Sequence, residues 1–257
     1  MPNTIQRFYH KNENIILATV TLLAFLLLWE LLPQLGVVNP FFTSSPSRIL
    51  VAAQWLFAHG FWNDIWVSLQ EFVIGMGLAV LFSLPIGLAL GWYRRVNAMF
   101  EPFITVLNAT PRVALIPLII LWLGIGIASK VAAVFLGAFF PLVVNIMAGV
   151  KTVDETLLKC ARSFGANDHQ VLTSLVMPTC VPFYIAGMRL ALGRALVGVV
   201  VGEMLASTAG IGHMMTLASS SFQMDKMFVG LILLAVFGYL LTELLKLLET
   251  KYESWRA

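Results

Sequence analysis

Apolar residues fall into six long blocks along the chain, about Ile15 to Leu32, Phe72 to Trp92, Phe103 to Leu123, Val131 to Val150, Phe183 to Leu205 and Met227 to Leu245. Each can cross about 30 Å of hydrocarbon, where no water satisfies the backbone, so each is predicted to be a transmembrane helix. The third block carries Pro102, Pro111 and Pro117. Proline removes a donor and clashes with the preceding turn, so this span is expected to be kinked or broken, with protein or a cavity satisfying the freed groups. The first block follows a polar start containing Arg7, Lys11 and Glu13 and runs into Leu31-Leu32-Pro33-Gln34 rather than a small-residue cleavage site. It is also longer than a usual signal-peptide core, so it is read as a retained membrane helix.

Between the first two blocks, from Pro40 to Asp64, a turn-rich Thr43-Ser44-Ser45-Pro46-Ser47 precedes Ile49, Leu50, Ala53, Leu56 and Phe57 at helical spacing. This predicts a short anchoring helix along the outer interface, with Trp55, Trp62 and Trp66 at headgroup depth. Gly87 with Gly91, and Gly198 with Gly202, have the spacing that lets membrane helices approach closely; packing is the expected role.

Composition agrees: 59% of the 257 residues are apolar, 11% are charged and mean hydropathy is +0.88, outside the range of soluble domains. The expected fold class is an all-α membrane protein with about six transmembrane helices. Placing Arg7, Lys11, Arg94, Arg95, Lys151, Lys159, Arg162, Lys246, Lys251 and Arg256 on one face leaves Arg48, Lys130 and Lys226 on the other. The positive-inside rule then makes both termini cytoplasmic. The net charge of +3 reflects topology, and no nucleic-acid partner is inferred from it. Cys160 and Cys180 both fall on the reducing cytoplasmic side, so neither a disulfide nor a cysteine metal site is expected. The chain is expected to divide into a cytoplasmic segment 1–14, a first span with outer interfacial helix 15–64, a membrane core 65–248 containing a cytoplasmic loop 151–178, and a cytoplasmic tail 249–257.

The long cytoplasmic loop, Val153 to Pro182, carries the strongest signal. Residues 154–163 favour a helix with Leu157, Leu158 and Ala161 on one side; Gly165 can end it in a left-handed turn, and Asn167 can cap a second helix running to about Val176. The pattern resembles the EAA loop of ABC-importer permeases. Lys159-Cys160-Ala161 fill its first triplet, Gly165 its glycine, with Ala166 next, Leu175 its isoleucine and Met177-Pro178 its end. Lys159 replaces the usual Glu, a departure that bears on how the loop helix is braced and which ATPase surface it meets. The resemblance covers about residues 40–256. Pro46, Ser68-Leu69, Gly75, Gly87, Gly91, Ala114-Leu115-Ile116-Pro117-Leu118, Trp122, Gly124-Ile125-Gly126, Ser129-Lys130, Phe140-Pro141, Gly187, Glu203-Met204 and Gly210-Ile211-Gly212 are similar to nitrate, taurine, alkanesulfonate and bicarbonate importer permeases.

That resemblance implies a type I ABC importer permease fold with a cytoplasmic coupling helix, in a bacterial inner membrane. It implies a second permease copy, two ATP-binding subunits docked on Lys159, Cys160, Ala161, Gly165, Ala166, Leu175 and Pro178, and an extracytoplasmic solute-binding protein. It implies no cofactor in this chain, ATP and Mg being bound by the partner ATPase. Consistently, no GxxxxGK[ST] phosphate loop occurs in the sequence.

Charge at membrane depth costs roughly 2.5–3.5 kcal/mol per central Arg and so points to function or pairing. Arg112 and Arg194 lie near the middle of the third and fifth spans, with Arg189 and Glu203 to either side of Arg194. The arginines either face the translocation path and favour an anion, or pair internally with Glu203 or Glu71 or bond backbone freed at Pro111 and Pro117. Glu203 is assigned to the path or to a structural hydrogen bond. His10, His59, His169 and His213 form no metal-ligand set. The alternative, an ion-coupled secondary transporter, would want inverted repeats and acids within spans, of which the sequence offers Glu203 alone and no repeat; a membrane enzyme would want a catalytic cluster at one face, and no such set appears. Small organic anions, sulfonates and carboxylates, lead as substrates, with nitrate, bicarbonate or a thiamine-precursor pyrimidine behind them.

Overall fold

Helices α1 (Thr4–Gln34), α2 (Pro46–Ala58), α3 (Phe61–Trp92), α4 (Arg94–Ala109), α5 (Ile116–Leu123), α6 (Ile127–Lys151), α7 (Glu155–Ser163), α8 (Asp168–Val171), α9 (Met177–Ala206), α10 (Ile211–Ser220) and α11 (Met224–Glu253) follow one another in the computed structural model, with no strand among the described residues. The structure describes residues 4–39 and 41–253; the side chains of Arg7, His10, Lys11, Lys251 and Arg256, and Pro40, lie outside the described residues. Five helical runs are long and apolar enough to cross a membrane. A sixth span is the pair α4 and α5, bent by 93° at the Thr110-Pro111 break, where Pro111 cannot donate and Thr110 is extended. The expected kink is therefore close to a right angle. Span two begins at Phe61 rather than Phe72, so Trp62 and Trp66 belong to its first turns.

Two compact units divide the chain, Met1–Phe61 with Met215–Leu231, and Trp62–Met214 with Ile232–Ala257. In the first, α2 buries Ile49, Ala52 and Leu56, one helical stripe, while Leu50, Val51 and Trp55 stay exposed. The sequence pattern grouped Leu50 with Ile49, Ala53, Leu56 and Phe57 at helical spacing; in a protein of lipid surroundings an apolar side chain faces either neighbour, so apolarity alone does not report burial. Ser47 donates from its backbone N–H (2.9 Å) and hydroxyl (2.6 Å) to Glu30, and Asp225 accepts from Ser44 (2.6 Å) and Arg48 (3.0 Å). Lys226 lies 3.6 Å from the centre of the Trp55 ring.

In the second unit the core is built on α6. This helix is apolar all round and buried along most of its length, Ala138, Leu142, Val143 and Ile146 completely, as a helix surrounded by others should be. Without a hydrophobic drive between helices in lipid, close packing must hold them, and small residues provide it. A Cβ on Gly75, Gly87 or Gly91 of α3 would come within 2.5, 2.7 and 2.6 Å of Val134, Ile146 and Val150. On the opposite contact, a Cβ on Gly198 of α9 would lie 2.9 Å from the Ala133 carbonyl, and one on Gly137 of α6 2.8 Å from the Arg194 carbonyl. The glycine pairs noted in the sequence are thus seams on which α3 and α9 meet α6.

Candidate functional site

The turn between α7 and α8 is assembled by local hydrogen bonds. Asp154 caps α7 by accepting from the Thr156 N–H (2.7 Å), which holds its carboxyl below the usual carboxylate range, so the cap is ionised at neutral pH. Gly165 has φ +82°, the left-handed conformation that a helix C-terminus requires and side chains resist. Its N–H donates to the Arg162 carbonyl (3.0 Å) and that of Ala166 to the Ala161 carbonyl (3.1 Å). Asn167 and Gln170 form a reciprocal capping box, and Arg162 bridges the turn to Asp168 at 2.7 Å. Lys159, at the family's Glu position, pairs with Glu155 at 3.3 Å in full exposure, so the brace is an ordinary i,i+4 pair.

Inward, Leu158, Ala161, Ala166, Leu172 and Leu175 pack against Ile146, Val150, Val171, Val176 and Cys180. Leu157 is not with them: it lies 100° round the helix from Leu158 and is 54% exposed. Phe164 is 87% exposed at the tip, and Cys160 is exposed as well. Sequence reasoning passed over Phe164; a bulky apolar residue immediately before a helix-ending glycine, on a polar turn, was the available signal. The second helix does not stop near Val176. It continues through a π turn at Leu172–Val176 into α9, so that Asp168–Ala206 is one helical run of 39 residues, and Pro178 falls in the first turn of α9, where its missing N–H costs little.

Further along α9, Arg189 and Arg194 line a cavity of about 550 Å³ together with Arg112, and its remaining wall is apolar or glycine, from Val113 and Ile116 to Gly193, Val197 and Gly198. No acid lines it. Arg112 and Arg194 thus come together, close enough to repel. Among the described residues neither pairs with a carboxylate within hydrogen-bond distance: Arg112 Nη2 donates to the carbonyl (2.9 Å) and the side-chain oxygen (2.9 Å) of Asn108, and Arg194 Nη1 donates to that same side-chain oxygen (3.2 Å). The Asn108 carbonyl is one of those freed where α4 ends before Pro111. Arg112 Nε is buried without a hydrogen-bond partner among the described residues, and the guanidinium carbon lies 5.8 Å from the centre of the Phe140 ring.

Glu203 is elsewhere. Fully buried, it accepts from the Ser68 hydroxyl and from the Gly212 N–H (2.7 Å). Ile211 N–H donates to Ser68 Oγ (2.9 Å) and Gly210 N–H to Asp64 (2.8 Å), so side chains of α3 and α9 satisfy three consecutive donors at the start of α10. Buried Lys130 and Glu71 lie within Coulombic reach, and one Glu71 oxygen is without a partner among the described residues. Lys130, counted by the charge pattern among outer-face cations, is 3% exposed. No group of three metal-binding side chains occurs among the described residues.

Residues 83–254 match the family described as binding-protein-dependent transport system inner membrane component. The chain is 33% identical over 230 residues to the putative aliphatic sulfonates transport permease protein SsuC of Bacillus subtilis, covering 89% of this chain and 83% of that protein. It is 29% identical over 250 residues to the taurine transport system permease protein TauC of Escherichia coli, covering 95% and 91%. Among solved structures, an inward-facing conformation of the MetNI methionine ABC transporter superposes with a TM-score of 0.64 at 17% identity, covering 77% of this chain and 96% of that one, a likeness of fold.

Proposed function

The chain belongs to the family of binding-protein-dependent transport system inner membrane components, and we propose that it is the permease of an ATP-driven importer that carries small organic anions, sulfonates first, into the cytoplasm. One observation carries this reading: a single 39-residue helical run bears the α7–α8 turn at one end and two arginines of the acid-free cavity along its length. From Asp168 to Arg194 is about 39 Å of helix at 1.5 Å per residue. A push on the turn reaches the cavity wall because, beside that cavity, Gly137 of α6 and Gly198 of α9 each seat directly on backbone of the other helix.

In this reading a separate ATPase, holding ATP and Mg, docks on the turn through Phe164, Leu157 and the residues 159–166. An extracytoplasmic binding protein delivers the solute, two permease copies enclose the path, and both termini are cytoplasmic. Closure of the ATPases moves the paired turns and switches the path between two packed states, and hydrolysis resets it. Guanidinium groups suit the oxyanion of a sulfonate or carboxylate, and the apolar remainder of the wall suits a short carbon chain.

Gly165→Val tests the coupling. Nothing stands within 4 Å of a Cβ there, so the change acts on backbone conformation alone, at roughly 1–2 kcal/mol for a side chain forced left-handed. Uptake by the complete complex and solute-stimulated ATP hydrolysis are expected to be abolished, with membrane insertion unchanged. Normal transport would refute the docking role.

A further inference from the structure

We propose that Asn108 is the specificity-determining residue of the anion path: its side-chain oxygen occupies, between Arg112 and Arg194, the place that an oxygen of the transported anion takes. The inference rests on the anion reading above and adds a residue to it. One neutral amide oxygen accepts from both guanidinium groups, at 2.9 and 3.2 Å, and these two like charges have no carboxylate within hydrogen-bond distance among the described residues. An amide dipole holds the two cations in one fork without neutralising them. Each guanidinium has five donors, and Arg112 Nε is buried without a hydrogen-bond partner among the described residues, so the fork keeps donors for a charged acceptor that takes the amide oxygen's place. Position 108 is fixed independently of that acceptor, because the Asn108 carbonyl is tied to Arg112 Nη2 where α4 ends.

Asparagine and aspartate are isosteric, which separates a structural role from a selective one. If Asn108 only braces the fork, Asn108→Asp replaces a neutral acceptor with a charged one in the same place and loses nothing. If Asn108 marks the anion's position, the carboxylate becomes a permanent internal occupant.

The probe is ethanesulfonate, added to the purified permease–ATPase complex in lipid nanodiscs, with its apparent Kd read from the ligand-induced rise in melting temperature. Expected for Asn108→Asp is a melting temperature at or above wild type without ligand, and ethanesulfonate binding weakened about tenfold or more by like-charge repulsion. Asn108→Ser, which keeps a neutral acceptor, is expected to bind within a few-fold of wild type. Ethanesulfonate binding at wild-type strength in Asn108→Asp, while Arg112→Ala has lost it, would overturn the proposal and leave the anion path standing. Absence of ethanesulfonate binding in the wild-type complex would overturn the anion reading itself, and this proposal with it.

Discussion

Two regions of the second unit place charge among apolar helices and treat it in opposite ways. Around Glu203 the charges are mixed and fully buried, and each Glu203 oxygen accepts from a hydroxyl or a backbone N–H. Around Arg112 the charges are of one sign, the wall is open to a cavity, and the acceptor is a neutral amide. A buried carboxyl group whose two oxygens both hold donors serves the fold, since any ligand would have to break what holds α10 in place. Like charges left unmatched at a cavity are stable only because solvent or a ligand can reach them. Under the function proposed above, the comparison casts Glu203 as a clamp and the arginine pair as a site.

The difference is sharpest in what truncation does. Glu203→Ala leaves the Ser68 hydroxyl and the Gly212 N–H without their buried acceptor and removes one of the carboxyl groups near buried Lys130, and breaking a buried network in this way typically costs about 3–5 kcal/mol. The expected result is loss of folded, monodisperse protein in detergent, or a large fall in melting temperature, whatever the solute. A stable Glu203→Ala variant with a selective transport defect would move Glu203 into the path and end the contrast.

Arg112→Ala is expected to do the reverse. Removing one of two repelling cations relieves the cavity while freeing one backbone carbonyl, so melting should stay close to wild type. Uptake of the anionic solute should fall about tenfold or more, roughly 1.4 kcal/mol, through loss of a charge-assisted hydrogen bond. Unchanged uptake would remove Arg112 from the path, and collapse of the fold would make the arginine pair structural as well.

The sequence made the spans legible because hydrocarbon admits only long apolar helices, and proline marked the break between α4 and α5. The α7–α8 turn was legible for a similar reason: Gly165, Asn167 and their spacing are demanded by local backbone chemistry that no distant contact alters. What could not be read was who meets whom. Asp64 and Ser68 look like the polar approach to a membrane helix, yet they bond the start of α10, more than 140 positions along the chain. Asn108 looks like a polar residue near a helix end, and nothing local announces that Arg194 reaches it. Burial was hidden as well, since Leu28 on α1 faces outward and Leu142 on α6 is enclosed with the same apolarity.

Lys159 supplies the third environment, water, and the smallest expected effect. It stands where the family pattern has Glu, but its partner Glu155 is a surface neighbour one turn away and both side chains are more than three-quarters exposed. Such pairs contribute about 0.3–0.5 kcal/mol, and reversing one sign replaces attraction by repulsion of similar size. Lys159→Glu should therefore leave the melting temperature within about a degree or two of wild type, because the turn is held by Gly165, the Asn167 box and the packing of Leu158 and Ala161 rather than by this charge. Solute-stimulated ATP hydrolysis should change less than about twofold if Lys159 only decorates α7. A larger change at unaltered stability would mean that the ammonium group touches the ATPase directly. The substitution of Lys for Glu would then record a matching charge on that partner's surface, and the ATPase of this permease would carry an acidic residue opposite position 159.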